Sequence, residues 1–302
     1  MPLRHDGAAQ RGLRRRRWRR IAVVGQPPGG AKPDRVRYAS IKTWRLQVAE
    51  RIVVVTGAES GIGAACARAF GATGARVAVL YHSDASGADA SAQAVRDAGG
   101  IAMTIQADVD DEAKVDHAFA AVEAEWGAAD VLVNSAGLNM SGVAVRDMAL
   151  AQWRRLIDTD LTGAFLTSRR FLTGRGTRSG DATILHISSI HAYAVRAGGA
   201  DYCAAKGGLS NLVETLAIEE APRGVRVNAI EPGMILTPMN ARAQTDADYR
   251  RTLEKNIPAG RAGDPGEVAD LAVFLASDKA RYITGARIVI DGGLSLMQAL
   301  GA

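Results

Sequence analysis

Residues 51–63 read RIVVVTGAESGIG, an apolar, β-branched run that passes straight into a glycine-rich turn. A run this continuous shows no polar face, so it reads as a strand buried on both sides of a sheet. Glycines at 57, 61 and 63 give a G-x-x-x-G-x-G spacing, and Ile62, Ala65, Ala69 and Phe70 then take up helical periodicity. Gly57 suits a tight turn, Gly61 the close approach of backbone to a pyrophosphate, and Gly63 close packing of helix on strand. With Ser60 and Ile62 between them, these residues open a helix whose N-terminus attracts anionic phosphate. An ordinary glycine-rich turn is the alternative; the strand–turn–helix context favours the phosphate loop.

The same alternation continues down the chain. Strand-like runs occupy 75–81, 101–107, 130–137, 182–189, 225–233 and 286–293. Helical patterns fall between them at about 86–98, 111–126, 151–172, 201–221 and 265–277, while 234–263 reads as an insert with a short helix near 245–255. Apolar strands separated by amphipathic helices build right-handed βαβ units and a parallel sheet covered on both faces. The expected architecture is therefore α/β: a single doubly wound parallel sheet of about seven strands. Such sheets bind ligands beyond the C-terminal ends of their strands, where strand order reverses.

The formal net charge of +5 is unevenly spread. Residues 1–50 hold 13 Lys/Arg against 3 Asp/Glu, and the other 252 residues hold 24 against 29. The basic character belongs to a leader centred on RGLRRRRWRR (Arg11 to Arg20). Residues 1–48 read as a disordered basic extension and 49–302 as the folded catalytic domain; a targeting signal or a nucleic-acid arm is the rival reading of the leader. The apolar run IAVVG after the arginines is too short for a signal core. No partner nucleic acid is expected. Two cysteines, Cys66 and Cys203, lack metal or disulfide spacing and suit a reducing compartment, so the expected location is cytoplasmic. No apolar run reaches membrane-spanning length.

Several motifs then follow in order: TGAESGIG (56–63), ADV (107–109), NSAG (134–137), ISS (187–189), YCAAK (202–206), RVNAIEPG (226–233) and DGG (291–293). Together they resemble the short-chain dehydrogenase/reductase family over about residues 51–296, with a Rossmann-like fold. The stretches YHSD (81–84), IDTDLTGAF (157–165), SSIHA (188–192) and LTPMNA (236–241) are most similar to glucose 1-dehydrogenase-like members. A nicotinamide hydride transfer needs a paired proton transfer at the substrate oxygen, and a tyrosine can supply it when a nearby cation favours its phenolate. Lys206 lies one helical turn from Tyr202. The resemblance implies Tyr202 as acid/base, Lys206 as its activator and ribose ligand, and Ser189 as the hydroxyl that steadies the substrate oxygen. Strand alternation expects Ser188 to point the other way.

The fourth catalytic position of the family is usually Asn, in a segment like NLTG; here DLTG places Asp160 there. Asp supplies the same backbone carbonyl, and its carboxylate is free to alter a helix contact or attract Lys206. The resemblance also implies Asn134, Ala136 and Gly137 on the adenine–ribose side, Asp108 with Val109 at the adenine edge, and Pro232, Gly233, Ile235 and Thr237 around the carboxamide. The strand-two position that selects NAD through an acid is Tyr81, followed by His82, so that acid is missing. No Arg or Lys stands ready for a 2′-phosphate and Glu59 would repel one, so the reading leans to NAD, with NADP use open. His191, Arg196, Met234 and Asn240 are candidate substrate contacts. Glucose or a related sugar leads the substrate classes, ahead of 3-oxoacyl compounds or a general ketone/alcohol. A non-catalytic dinucleotide-binding regulator is the remoter alternative. The resemblance implies a homotetramer, and no metal is expected.

Overall fold

A computed structural model describes residues 50–299; the basic leader lies outside these described residues. Seven parallel strands form one sheet: β1 (Ile52–Thr56), β2 (Arg76–Tyr81), β3 (Ile101–Gln106), β4 (Val131–Asn134), β5 (Ala182–Ile187), β6 (Val225–Pro232) and β7 (Arg287–Ile290). Their order is β3-β2-β1-β4-β5-β6-β7. β1 pairs with β2 on one side and β4 on the other, so the winding reverses there. That reversal leaves a crevice at the carboxyl ends of β1 and β4, which the connecting helices cannot cover.

All five residues of β1 are buried, as its unbroken apolar run requires. Successive side chains take opposite faces. Val53 and Val55 pack in one core with Phe70, Val77, Val79 and Val268, against α1 (Gly61–Gly71), α2 (Ala85–Asp97) and α9 (Pro265–Ala276). Ile52 and Val54 pack in the other with Leu132, Phe119, Phe171 and Val213, against α3 (Glu112–Trp126), α5 (Gly163–Gly174) and α6 (Ala200–Glu220). Each buried Val, Leu or Phe contributes roughly 1.5–3 kcal/mol relative to exposure. Among the described residues, no helix is long and apolar enough to cross a membrane.

Two elements differ from the sequence reading, and both border the crevice. The stretch read as one helix at 151–172 is α4 (Leu150–Ile157), a π-helical turn at Asp158–Thr162, and α5. A π turn accommodates an extra residue and is usually found where function needs it. Here it buries Asp160 while Asp158 stays exposed. The insert after β6 holds two short helices, α7 (Ala241–Thr245) and α8 (Ala247–Glu254), where one was expected. Asp246 separates them, and its side chain accepts the N–H of Tyr249 at the start of α8.

Candidate active site

The crevice is a cavity of about 390 Å³. The phosphate loop forms one wall. Gly57 has φ +60°, and a Cβ there would lie 2.7 Å from the Cα of Ala136, so the turn and the close approach of the β4 loop both demand glycine. A Cβ on Gly63 would lie 2.1 Å from the carbonyl oxygen of Gly57, which locks α1 against the turn. Thr56 Oγ1 accepts the N–H groups of Ser135 and Ala136, both at 3.1 Å, and so fastens the two loops at the switch point. The Ser60 hydroxyl caps no N–H of α1. First-turn donors therefore remain for an anion, and a dinucleotide pyrophosphate fits this cradle.

The cavity lining gathers most of the residues singled out in the sequence. Gly57, Ser60, Gly61 and Ile62 stand on the phosphate loop; His82, Asp108 and Val109 follow β2 and β3; Ala136 and Gly137 follow β4. Asp160, Ser189, Tyr202 and Lys206 form the deep wall, and Pro232, Gly233, Ile235, Thr237 and Asn240 close the side after β6.

Others fall elsewhere. Asn134 turns from the cleft into the packing of β4 on α5: Thr167 Oγ1 donates to its Oδ1 at 2.7 Å, and its amide donates to Ser168 Oγ at 3.2 Å. Tyr81 packs against the core, while its neighbours Leu80 and His82 reach the cavity. Met234, His191 and Arg196 are absent from the lining. The Met234 carbonyl instead accepts the Gly263 N–H at 2.9 Å. His191 Nδ1 donates to Ala194 O at 2.6 Å, and its ring meets Tyr202 edge-on with centroids 6.2 Å apart. Arg196 is exposed.

Ser188 was expected to face away from Ser189, yet both line the cavity. The strand ends at Ile187, so alternation stops one residue short; Ser189 then caps a 3₁₀ turn, accepting the His191 N–H at 3.1 Å. The Ser188 hydroxyl is buried without a hydrogen-bond partner.

At the deep wall, Lys206 Nζ lies 3.1 Å from Asp160 Oδ2 and donates to Ile187 O at 3.3 Å. Asp160 Oδ1 accepts the Leu138 N–H at 2.7 Å. Lys206 Nζ is also 5.4 Å from the centroid of the Tyr202 ring. Burial alone would push the Lys206 ammonium down, but the charges of Asp160 and then Tyr202 outweigh it and hold it above the usual lysine range. His186 stands behind this wall on β5, fully buried, its Nδ1 3.4 Å from the Asn134 amide. Burial, then the nearby Lys206 charge, depresses it to about 3, so it is neutral at working pH.

At the opposite end, the Glu59 carboxylate accepts the His82 N–H at 3.2 Å, and His82 Nε2 lies 3.2 Å from Asp108 Oδ2. Asp110 joins them, its carboxyl raised by burial and by Asp108. Asp110, Leu138, Arg155, Thr159, Pro238 and Met239 complete lining that the sequence reading missed. Asp110, Leu138 and Thr159 each sit directly beside a motif residue, which is the signal that would have found them.

A doubly wound sheet with a phosphate cradle at its switch point and a Ser–Tyr–Lys wall opposite defines a dinucleotide-dependent oxidoreductase. Comparison with known proteins agrees. The family model described as Enoyl-(Acyl carrier protein) reductase matches residues 57–295. The 3beta-hydroxysteroid dehydrogenase 1 of Eggerthella lenta is 42% identical over 82% of this chain and 94% of its own. Glucose 1-dehydrogenase 2 of Bacillus subtilis is 37% identical over 82% of this chain and 95% of its own. An Agrobacterium tumefaciens structure, provisionally described as a 2-deoxy-d-gluconate 3-dehydrogenase with bound NADP, superposes with a TM-score of 0.74 at 31% identity, covering 82% of this chain and 96% of its own. The chain belongs to the short-chain dehydrogenase/reductase family. It is an oxidoreductase acting on hydroxyl or carbonyl substrates.

Proposed function

We propose that the protein is an NAD-preferring dehydrogenase of a secondary alcohol carried on an apolar ring, with Tyr202 as the proton-transferring group. The convergence of Ser189, Tyr202 and Lys206 on the cavity lining carries this reading. When bound, the nicotinamide would accept the hydride from the alcohol carbon. The phosphate loop, with Gly57, Ser60, Gly61 and Ile62, would hold the pyrophosphate, and Lys206 the nicotinamide ribose. Gly137 would line the adenine–ribose side, and Pro232, Gly233, Ile235 and Thr237 would orient the nicotinamide ring. Tyr202 Oη takes the hydroxyl proton, and Ser189 Oγ donates a hydrogen bond to the same substrate oxygen. Assembly as a homotetramer and a non-catalytic basic segment at 1–48 complete the proposal.

The cofactor preference rests on charge. Glu59, Asp108 and Asp110 all line the end of the cavity next to β2; the His82 ring faces Asp108, and its backbone N–H goes to Glu59. A 2′-phosphate there would meet carboxylates before it met a free cation.

The substrate preference rests on the loops beyond the strands. Leu138, Pro238 and Met239 contribute apolar lining, and Asn139 Nδ2 donates to Met239 O at 3.4 Å, joining the two loops. Tyr193, Val195 and Met239 are exposed apolar side chains on loops that follow β5 and β6. A sugar would need several free donors and acceptors, yet Asn240 already donates to Ile235 O at 2.8 Å. Glucose, the leading sequence expectation, therefore becomes the second reading. The test is a panel of 3-hydroxysteroids, substituted cyclohexanols and glucose, each with NAD and NADP. The proposal expects the ring alcohols with NAD to give the highest kcat/KM. A clear preference for glucose would reject the substrate class, and a preference for NADP would reject the cofactor assignment.

A further inference from the structure

The catalytic wall contains a carboxylate where the family usually has an amide, and both of its oxygens face donors. Asp160 Oδ1 takes the Leu138 N–H at 2.7 Å, and Oδ2 faces the Lys206 ammonium at 3.1 Å. An asparagine has one acceptor and one NH₂, so it would set a donor against either Leu138 or Lys206. The site is thus shaped for an ionised carboxylate. The side chain of Asp160 has no solvent exposure and that of Lys206 only 5%, so water screens this pair little.

We propose that Asp160 is a positioning residue, the fixed counter-ion of Lys206, and that it makes this enzyme work at more alkaline pH than an asparagine in its place would. The proposal rests on the dehydrogenase reading given above.

Lys206 has three N–H donors. One goes to Ile187 O, and the ammonium stands 3.1 Å from Asp160 Oδ2 as an ion pair with no formal hydrogen bond between them, which leaves donors for a ribose hydroxyl. The ammonium is therefore held in place before any cofactor arrives. The same arrangement weakens its action on Tyr202. A lone ammonium 5.4 Å from the tyrosine ring favours phenolate strongly, whereas an ammonium neutralised by a carboxylate favours it less. Oxidation needs the phenolate, so activity should rise only at higher pH.

Few other charges reach the pair. His186 on β5 is neutral above about pH 3. Glu231 on β6 is tied to Arg287 Nε at 2.8 Å and accepts from Ser210. Asp201 on α6 caps the N–H of Tyr202 at 2.8 Å. Around the small void beside the pair, lined by Thr56, Asn134, Thr159 and Ala164 among others, Asp160 and Lys206 are the only ionisable side chains.

The experiment measures the pH profile of kcat/KM for alcohol oxidation in wild type, Asp160→Asn and Asp160→Glu, with Tyr202→Phe as control. In Asp160→Asn the acid limb should move down by about one pH unit, the usual size of one charge at this range. It should stay near wild type in Asp160→Glu, which keeps the charge. An unmoved or upward-shifted limb in folded Asp160→Asn overturns the proposal. Should Tyr202→Phe keep full turnover, the dehydrogenase reading itself fails, a distinct result. A second readout needs neither cofactor nor turnover. In ¹⁵N-lysine-labelled protein without cofactor, the clamp predicts one slowly exchanging ammonium signal that Lys206→Met removes. Absence of that signal in wild type overturns the clamp, even if Asp160→Asn fails to fold.

Discussion

Arg226 and Lys206 are both cations buried among the described residues, and their surroundings differ in kind. Arg226, on β6, is held by neutral oxygens: it donates to Leu275 O at 2.6 Å, Ala280 O at 3.2 Å and Thr183 Oγ1 at 2.8 Å. Asp181 stands at 3.5 Å from its Nε, and burial outweighs that carboxylate, lowering the guanidinium below its usual range. Lys206 has a buried carboxylate at 3.1 Å and is held above its usual range. Arginine suits the first place because it stays charged even when burial disfavours the charge. Lysine suits the second because it is a point charge with a donor to spare. Arg226 ties the end of α9 to the sheet and is not part of the cavity lining, whereas Lys206 lines the cavity beside Tyr202. The one braces the fold; the other is the cation to which the proposed function gives a role.

Substitution should split the two. Lys206→Met is expected to lower turnover of the folded protein by about 10³-fold, the scale of an acid–base group, and also to lower stability, because it leaves Asp160 buried without its counter-ion. Arg226→Met should lower stability alone. Leaving its carbonyl partners unpaired costs about 2–4 kcal/mol of stability, read as a lower denaturation midpoint, while kcat of the folded protein stays near wild type. Loss of kcat without loss of stability in Arg226→Met would erase the distinction.

His186 extends the contrast to a buried base that should never charge. Its folded pKa of about 3 lies below the unfolded value near 6.5, so the unfolded state binds the proton more readily. Its contribution to stability is complete above about pH 6.5 and is lost as pH falls toward about 3. The thermal midpoint should therefore drop through that window, and less steeply in His186→Gln. Identical slopes would remove His186 from the account.

Much of this was legible in the sequence, for physical reasons. The RIVVVTGAESGIG stretch declares a buried strand and a glycine turn because each residue there answers to a local constraint: no polar face, a positive φ at Gly57, no room for a Cβ at Gly63. The Tyr202–Lys206 spacing fixes one helix face in the same way. The π turn was not legible, because the apolar pattern of 151–172 is compatible with one unbroken helix. The inward turn of Asn134 was not legible either; it depends on Thr167 and Ser168, 33 and 34 residues later. Asp160 showed only as a departure of DLTG from the family's usual NLTG, and the donors it faces come from separate elements, the loop after β4 and α6.

The smallest predicted effect concerns the other end of the cleft. Glu59→Gln removes one charge beside His82 and should raise kcat/KM with NADP relative to NAD by about tenfold, equivalent to ~1.4 kcal/mol. An unchanged ratio would show that Glu59 plays no part in cofactor choice.

The central claim is that Tyr202 moves the substrate proton in a dehydrogenase. Its most direct test is reduction of NAD by a ring alcohol, followed in the absorbance of the reduced nucleotide, for wild type and Tyr202→Phe, with NADH binding measured on both. The account predicts steady reduction by wild type, near-complete loss in Tyr202→Phe, and NADH binding preserved in the variant. Equal turnover by the two proteins would contradict it.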